Sequence, residues 1–252
     1  MIKTKRIKYI QDYISKNQSA SLDELVKKFD VSKNTIRRDV QEIVDEGNFK
    51  KVYGGVAVKA KPLESFQDRQ VKNKSVKNKI GELAATYIAD GDILFIDSGT
   101  TTLELFEYIK EKKLTILTNN IEFIVNSIPY PNLNVISTGG ILERETNSFI
   151  NYQNIDLLQT YNVNKAFMAS TGVSFSNGVT NSSPHETKLK QIIIEKASKN
   201  FLLIDHSKFD HYGLMTYCKL KDIHCIITDL NPTEEYQSYA KENGIRIDTL
   251  NE

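Results

Sequence analysis

SLDELVKKFDVSKNTIRRDVQEIVDEG, residues 21–47, is the stretch on which the fold turns. Ser21 precedes an apolar-periodic run and Glu24 follows three residues on, the pattern of a reciprocal helix cap. Leu22, Leu25, Val26 and Phe29 then recur on one helical face. Asp30-Val31-Ser32 interrupts the period, and Ser32 can cap a second helix over about residues 33–46 that stops at Gly47. Ile36, Val40, Ile43 and Val44 make its apolar stripe. A short helix, a tight turn and a second helix that begins polar and basic is the helix-turn-helix pattern.

The flanks extend it. Upstream, Ile7, Ile10 and Ile14 predict a first helix, with Lys3, Lys5, Arg6 and Lys8 near its start. Downstream, Phe49, Lys51 and Tyr53 alternate ahead of Gly54-Gly55, which predicts a hairpin, the wing of a winged helix. A groove-inserting helix reads bases with its N-terminal residues, here Ser32, Lys33, Asn34, Thr35, Arg37 and Arg38. Arg can grip guanine and Asn adenine through paired hydrogen bonds, while Lys and Thr hold phosphate. On the wing, Lys50, Lys51 and Tyr53 are placed to follow the phosphate backbone. The competing reading makes Arg37 and Arg38 solvated charges paired with Asp39 and Glu42.

Charge separates the head of the chain from its body. Residues 1–61 hold 11 Lys and 3 Arg against 8 acids, a balance of +6, whereas the remainder holds 19 basic and 24 acidic residues, a balance of −5. A basic head on an acidic body suits a polyanionic partner for the head alone. The composition is that of a folded protein, with no apolar run long enough to cross a membrane and no signal-like leader. Two cysteines, Cys218 and Cys225, leave no disulfide framework, so a cytoplasmic protein is expected.

Residues 1–58 therefore read as a DNA-binding domain, 59–79 as a Lys-rich, partly helical linker with Pro62 near its start, and 80–252 as a second domain. In that domain short apolar runs at 93–96, 114–117, 133–136, 166–169, 201–204, 223–228 and 245–247 alternate with helical stretches near 80–89, 101–111, 120–128, 154–160, 186–198 and 233–243. Such alternation predicts a mostly parallel sheet covered by helices, with ligands at the carboxyl ends of the strands. The first run ends in Asp97-Ser98-Gly99-Thr100-Thr101-Thr102, whose amides and hydroxyls suit a phosphate, although Ser and Thr there also serve as plain caps. Gly139-Gly140, Ser170-Thr171-Gly172 and Asp205 with Lys208 repeat the theme after three more strands.

These features together resemble the DeoR family of bacterial transcriptional regulators, which includes repressors of sugar and polyol catabolism. The resemblance is carried by Val31-Ser32, Thr35 through Asp39, Gly54-Gly55, Asp97 through Thr102, Gly139-Gly140, Asp205 with Ser207-Lys208-Phe209, and Thr228-Asp229. It implies a winged helix-turn-helix followed by a larger, Rossmann-like α/β domain similar to ribose-5-phosphate isomerase and CoA-transferase folds. It further implies operator DNA as partner, a homo-oligomer, and a phosphorylated sugar or polyol effector. The Ser/Thr loop would hold the phosphate, with Asp205 and Lys208 in the same pocket. Where the family's wing reads Arg-x-His-Gly-Gly-Ala, this chain has Lys51-Val52-Tyr53-Gly54-Gly55-Val56, which keeps the charge but not the two-pronged guanidinium.

The alternative is a sugar-phosphate isomerase with an appended nucleic-acid-binding domain, for which Glu186, Asp205 and His185 are the candidate bases. No cofactor motif is present, and His185, His206, His211 and His224 lack metal-ligand spacing, so neither cofactor nor metal is expected.

Overall fold

The structure, a computed structural model, describes residues 3–17, 19–47, 49–58, 65–151 and 155–250. It divides into two compact units, Met1–Leu63 and Glu64–Glu252. Among the described residues no helix is long and apolar enough to cross a membrane.

The first unit runs α1 (Lys3–Asn17), β1 (Ser19–Ser21), α2 (Leu22–Phe29), α3 (Lys33–Asp45), β2 (Phe49–Val52) and β3 (Gly55–Val58). The reciprocal cap forms: Glu24 N donates to Ser21 Oγ at 3.1 Å and Ser21 N to the Glu24 carboxylate at 3.4 Å. Ser32 Oγ caps α3 by accepting from Thr35 N at 3.2 Å. Ile10, Ile14, Leu25, Ile36, Ile43 and Val56 close the core where the helices meet the hairpin. Strand β1, absent from the sequence reading, pairs with β3 to give the antiparallel order β1-β3-β2. Ser-Ala-Ser has no strand propensity of its own; the edge offered by β3 makes it a strand.

That pairing explains the second glycine of the wing. A Cβ on Gly55 would lie 2.3 Å from the Ala20 carbonyl oxygen, so only glycine lets β1 and β3 close. Gly55→Ala is therefore expected to lower stability by about 1–3 kcal/mol, as overpacking does. Thermal unfolding of the variant checks it, and an unchanged midpoint would mean that β1 simply yields.

The second unit opens with α4 (Phe66–Val71) and α5 (Lys74–Ala85), followed by β4 (Ile93–Ile96), α6 (Thr100–Leu103), α7 (Phe106–Ile109), β5 (Leu114–Thr118), α8 (Ile121–Ser127) and β6 (Leu133–Ser137). A hairpin of β7 (Ile141–Glu143) and β8 (Ser148–Ile150) leads to α9 (Ile155–Leu158), β9 (Lys165–Met168), β10 (Gly172–Ser174), β11 (Gly178–Asn181) and α10 (Pro184–Lys196). The chain ends with β12 (Lys199–Leu203), β13 (Met215–Cys218), β14 (Cys225–Thr228), α11 (Glu234–Asn243) and β15 (Arg246–Thr249).

All seven predicted apolar runs are strands of one parallel sheet, ordered β15-β14-β12-β9-β4-β5-β6. Its strands are apolar on both faces because helices cover both. Phe95, Leu117, Met168 and Leu202 pack beneath α10, whereas Leu94, Ile96, Ile116 and Leu203 pack beneath α5. The order reverses between β4 and β9, where connections leave in opposite directions and open a crevice. The β7–β8 hairpin and the β10-β11-β13 sheet are additions that the sequence reading lacked.

One expectation is corrected. Of the segment read as linker, 59–64 lies outside the described residues, but 65–79 is not linker: it folds as α4 and the first half of α5. Phe66 is 1 % exposed and Lys77 4 % exposed, and both belong to the second unit. The lysines mislead because only one face of α5 is wet; Lys77, Ile80, Gly81 and Ala84 share the buried one.

Candidate functional site

The N-terminal half of α3 carries exposed Lys33, Asn34, Arg37 and Arg38. The acids expected to compete for those arginines are engaged elsewhere. Asp39, buried, accepts from Arg6 Nε at 2.6 Å and Nη2 at 3.2 Å, and Glu42 pairs with Lys3 at 2.6 Å. Arg37 Nη1 reaches Asn34 Oδ1 at 3.4 Å, and among the described residues no ion pair joins Arg37 or Arg38 to an acid. Lys33 is tied to Asp23 at 2.6 Å, and its hydrogen bond holds that carboxyl below the usual carboxylate range. Ser32 and Thr35 spend their hydroxyls on the cap, 2.9 Å apart. On the wing, Lys50 and the fully exposed Tyr53 face solvent, while Lys51 Nζ donates to Gln41 on α3.

In the second unit, the crevice between β4 and β9 is built around Asp97, which is wholly buried. Its carboxylate accepts from Ser98 N at 2.9 Å, Ala169 N at 2.9 Å and the ammonium of Lys190 on α10. Thr102 Oγ1 donates to the Asp97 carbonyl at 2.7 Å. Gly99 has no room for a side chain, since its Cβ would lie 2.2 Å from that of Ala169. Asp97 thus clamps the two strand ends together, Gly99 lets them approach, and Thr102 ties the loop back onto the end of β4. Ser98 Oγ instead crosses the crevice to Glu186 Oε1 at 2.7 Å, which also accepts from Ser148 Oγ at 2.6 Å.

A second cluster forms beside Thr100. Lys77 Nζ donates to Thr100 Oγ1 at 3.0 Å and to the Arg69 carbonyl. Burial pushes the Lys77 ammonium down to about 8; Lys208 and Arg69 add to the shift, while Asp205 and Glu104 oppose it. Asp205 is itself buried. Burial alone would raise its carboxyl, but the Ser207 hydroxyl and amide, Lys208 and Asn73 outweigh that and hold it below the usual carboxylate range. Thr100, Lys77, Asp205 and Lys208 therefore share one electrostatic neighbourhood, in which two lysines lie near the Asp205 carboxylate. Thr101 is buried, and Gly139 and Gly140, at φ of +64° and +111°, turn the chain from β6 into the β7–β8 hairpin.

Residues 6–61 match the DeoR-like helix-turn-helix domain, and residues 72–230 match the DeoR C terminal sensor domain. The chain belongs to the DeoR family. It is a DNA-binding transcriptional regulator with a C-terminal sensor domain. It is 40% identical over 248 residues to the HTH-type transcriptional regulator IolR of Bacillus subtilis, covering 98% of this chain and 99% of that one. It is 31% identical to a lactose phosphotransferase system repressor of Staphylococcus epidermidis, covering 96% and 99%. A ribose 5-phosphate isomerase A from Methanocaldococcus jannaschii is similar at a TM-score of 0.40, with 17% identity over 55% of each chain, too distant to bear on chemistry.

In this DeoR-family sensor domain, sequence reasoning missed Lys77 and Lys190 and gave Glu186 only an enzyme's role. Lys190 follows Glu186 by one helical turn, so α10 presents both inward to the crevice; that spacing was a readable signal. Asp229, part of the family pattern, accepts from His206 N at 2.7 Å and meets its Nδ1 at 2.6 Å, which fixes the turn carrying Asp205 and Lys208. Hydrogen bonding to Asp229 raises the His206 imidazole above its usual range.

Proposed function

We propose that this regulator represses a sugar or polyol catabolic operon from the cytoplasm as a homo-oligomer, and that a phosphorylated effector relieves it. Arg37, Arg38 and Asn34 read operator bases, while Lys33, Lys50, Lys51 and Tyr53 follow the backbone. Thr100, Lys77 and Lys208 hold the effector's phosphate, with Ser98 and Asp205 completing the pocket wall. The observation carrying this is the buried Lys77, hydrogen-bonded to Thr100 and crowded by Lys208 and Arg69. A buried ammonium beside a second lysine and a hydroxyl-bearing loop suits a phosphate, whose charge would add to that of Asp205 and Glu104.

Sensing is favoured over turnover. A general base works best with a pKa near the working pH, and Asp205 is shifted the other way. Glu186 Oε1 already accepts from two serine hydroxyls.

Thermal-shift screening of the whole protein against three- to six-carbon sugar and polyol phosphates tests the reading. A ligand at 100 times its Kd adds about 2.7 kcal/mol, so a shift of about 5–10 °C is expected from the right class. The same ligand must then change operator affinity, because an effector works only by binding the DNA-competent and incompetent states unequally. No shift across the panel, or a shift without change in DNA binding, would overturn it.

Lys77 adds a pH dependence. Since its pKa in the folded protein is about 8, below the ordinary lysine value, it loses charge as pH rises from 7 to 9. The phosphate stays dianionic there, its second pKa being about 6. Effector affinity should fall about tenfold over that window and be flat in Lys77→Met. Stability of the free protein runs the other way. Above pH 8 the unfolded chain keeps a proton that the folded one has released, so stability rises with pH. A wild-type Kd that does not change with pH would remove Lys77 from the phosphate.

A further inference from the structure

Among the described residues six buried side-chain polar atoms lack partners; two, Asn200 Oδ1 and Thr249 Oγ1, belong to β12 and β15, and the other four lie on one side of the same crevice. Asn119 is wholly buried, yet neither its Nδ2 nor its Oδ1 has a hydrogen-bond partner, and the same holds for Thr138 Oγ1 and Ser170 Oγ. Unmet amide groups in a protein interior are costly, and a site retained for a ligand is one reason to find them.

Strand periodicity places them together. Side chains alternate along a strand, and Phe95, Leu117, Ile136 and Met168 all pack into the core beneath α10. Two residues beyond each come Asp97, Asn119, Thr138 and Ser170, at the carboxyl ends of β4, β5, β6 and β9. These four strands are neighbours in the sheet. Asp97 does meet Lys190 of α10, as that face requires. With strands about 4.8 Å apart, Asn119 and Thr138 lie about 5 and 10 Å across from the end of β4.

The β7–β8 hairpin lies over them. Phe149 N donates to the Asn119 carbonyl at 2.9 Å, Asn151 Nδ2 to the Thr138 carbonyl at 2.9 Å, and Ser148 Oγ to Glu186 at 2.6 Å. Thr138, Phe149, Asn151, His185 and Glu186 wall one small cavity there. The chemistry selects the occupant. An amide offers a donor and an acceptor side by side, as adjacent hydroxyls do, and two lone hydroxyls offer the same. Glu186 accepts hydroxyl donors and repels a second anion.

We propose that Asn119, Thr138 and Ser170, with Glu186, form a subsite that reads the hydroxyl groups along the effector's carbon chain beneath the β7–β8 hairpin. This rests on the phosphorylated-effector reading above. The phosphate stays with Thr100, Lys77 and Lys208; the hairpin lifts, and a ligand hydroxyl replaces that of Ser148 on Glu186.

Asn119→Leu tests it, with Thr138→Val as the milder second variant. Three quantities are measured on the full chain: the unfolding midpoint without ligand, the Kd for inorganic phosphate, and the Kd for the tightest sugar or polyol phosphate of the panel. In Asn119→Leu the ligand-free midpoint should hold or rise, since an unmet amide is removed. Phosphate affinity should stay within twofold, and the sugar or polyol phosphate should weaken at least tenfold. Thr138→Val should weaken it severalfold in the same selective way. A fall in the ligand-free midpoint of both variants would make these groups structural and overturn the subsite, as would equal weakening of phosphate and phosphoester. Unchanged Kd values with a wild type that binds would overturn the subsite alone. A wild type that binds no phosphoester would overturn the effector reading and the subsite with it.

Discussion

Asp97→Ala lowers the stability of the sensor unit by about 3–5 kcal/mol, the expected result of stripping one partner from a buried ion pair. The loss has two parts. Lys190 is left as a buried ammonium with the Ala169 carbonyl and the Tyr217 ring but no counter-charge at hydrogen-bond distance, and the amides of Ser98 and Ala169 lose the carboxylate that joins the ends of β4 and β9. At about 2–4 °C per kcal/mol, the midpoint should fall by about 6–20 °C. Asp97→Leu combined with Lys190→Met should recover much of this, because no unpaired charge remains. Urea unfolding of the four proteins of that cycle measures it. A single variant within about 1 kcal/mol of wild type would show that Asp97 does not clamp the strands. The distinction matters because Asp97 was expected to touch the effector; its carboxylate is spent on the protein, so its loss should register first in stability.

The second large effect is on DNA. Arg37→Ala and Arg38→Ala should each weaken binding roughly 5- to 150-fold, with relaxed preference at the base each one reads. Lys50→Ala on the wing should instead weaken all duplexes alike and reduce the salt dependence by about one counterion. A duplex selected from a random library by the wild-type protein serves as probe, at fixed salt. Circular dichroism guards against unfolding, which is not anticipated because both arginines are exposed and form no ion pair among the described residues. Asp39→Ala is the contrasting variant: it removes the buried carboxylate that accepts two hydrogen bonds from Arg6, and binding should be lost together with the fold of the domain. Full operator affinity in the Arg37/Arg38 double variant would displace the reading surface from α3.

Much of the architecture is legible in the chain because its signals are local. Ser21 with Glu24 and Ser32 with Thr35 cap helices within one turn of themselves. The seven sheet strands announce themselves as apolar runs because both their faces are covered. Less legible were β1, which exists only because β3 offers it an edge, and the start of the sensor unit, where Lys-rich α5 resembles linker from its wet face. The loop from Asp97 to Thr102 was found from its composition, but its six residues divide unequally. Ser98 and Thr100 present hydroxyls to the crevice and to Lys77, whereas Asp97 and Gly99 join the strand ends, Thr102 ties the loop back on itself and Thr101 is buried.

By itself, then, the sequence determined two domains, a capped helix-turn-helix with a wing, and a parallel sheet whose carboxyl edge carries polar loops. Each of these follows from periodicities of two or 3.6 residues and from capping within a few positions. Only the tertiary structure decided the partners: Arg6 with Asp39, Asp97 with Lys190, Ser98 with Glu186, and Lys77 beside Thr100. Those groups stand 33, 93, 88 and 23 residues apart. A buried charge takes whatever counter-charge the packed chain brings within reach, and no local pattern along the chain encodes which one that is.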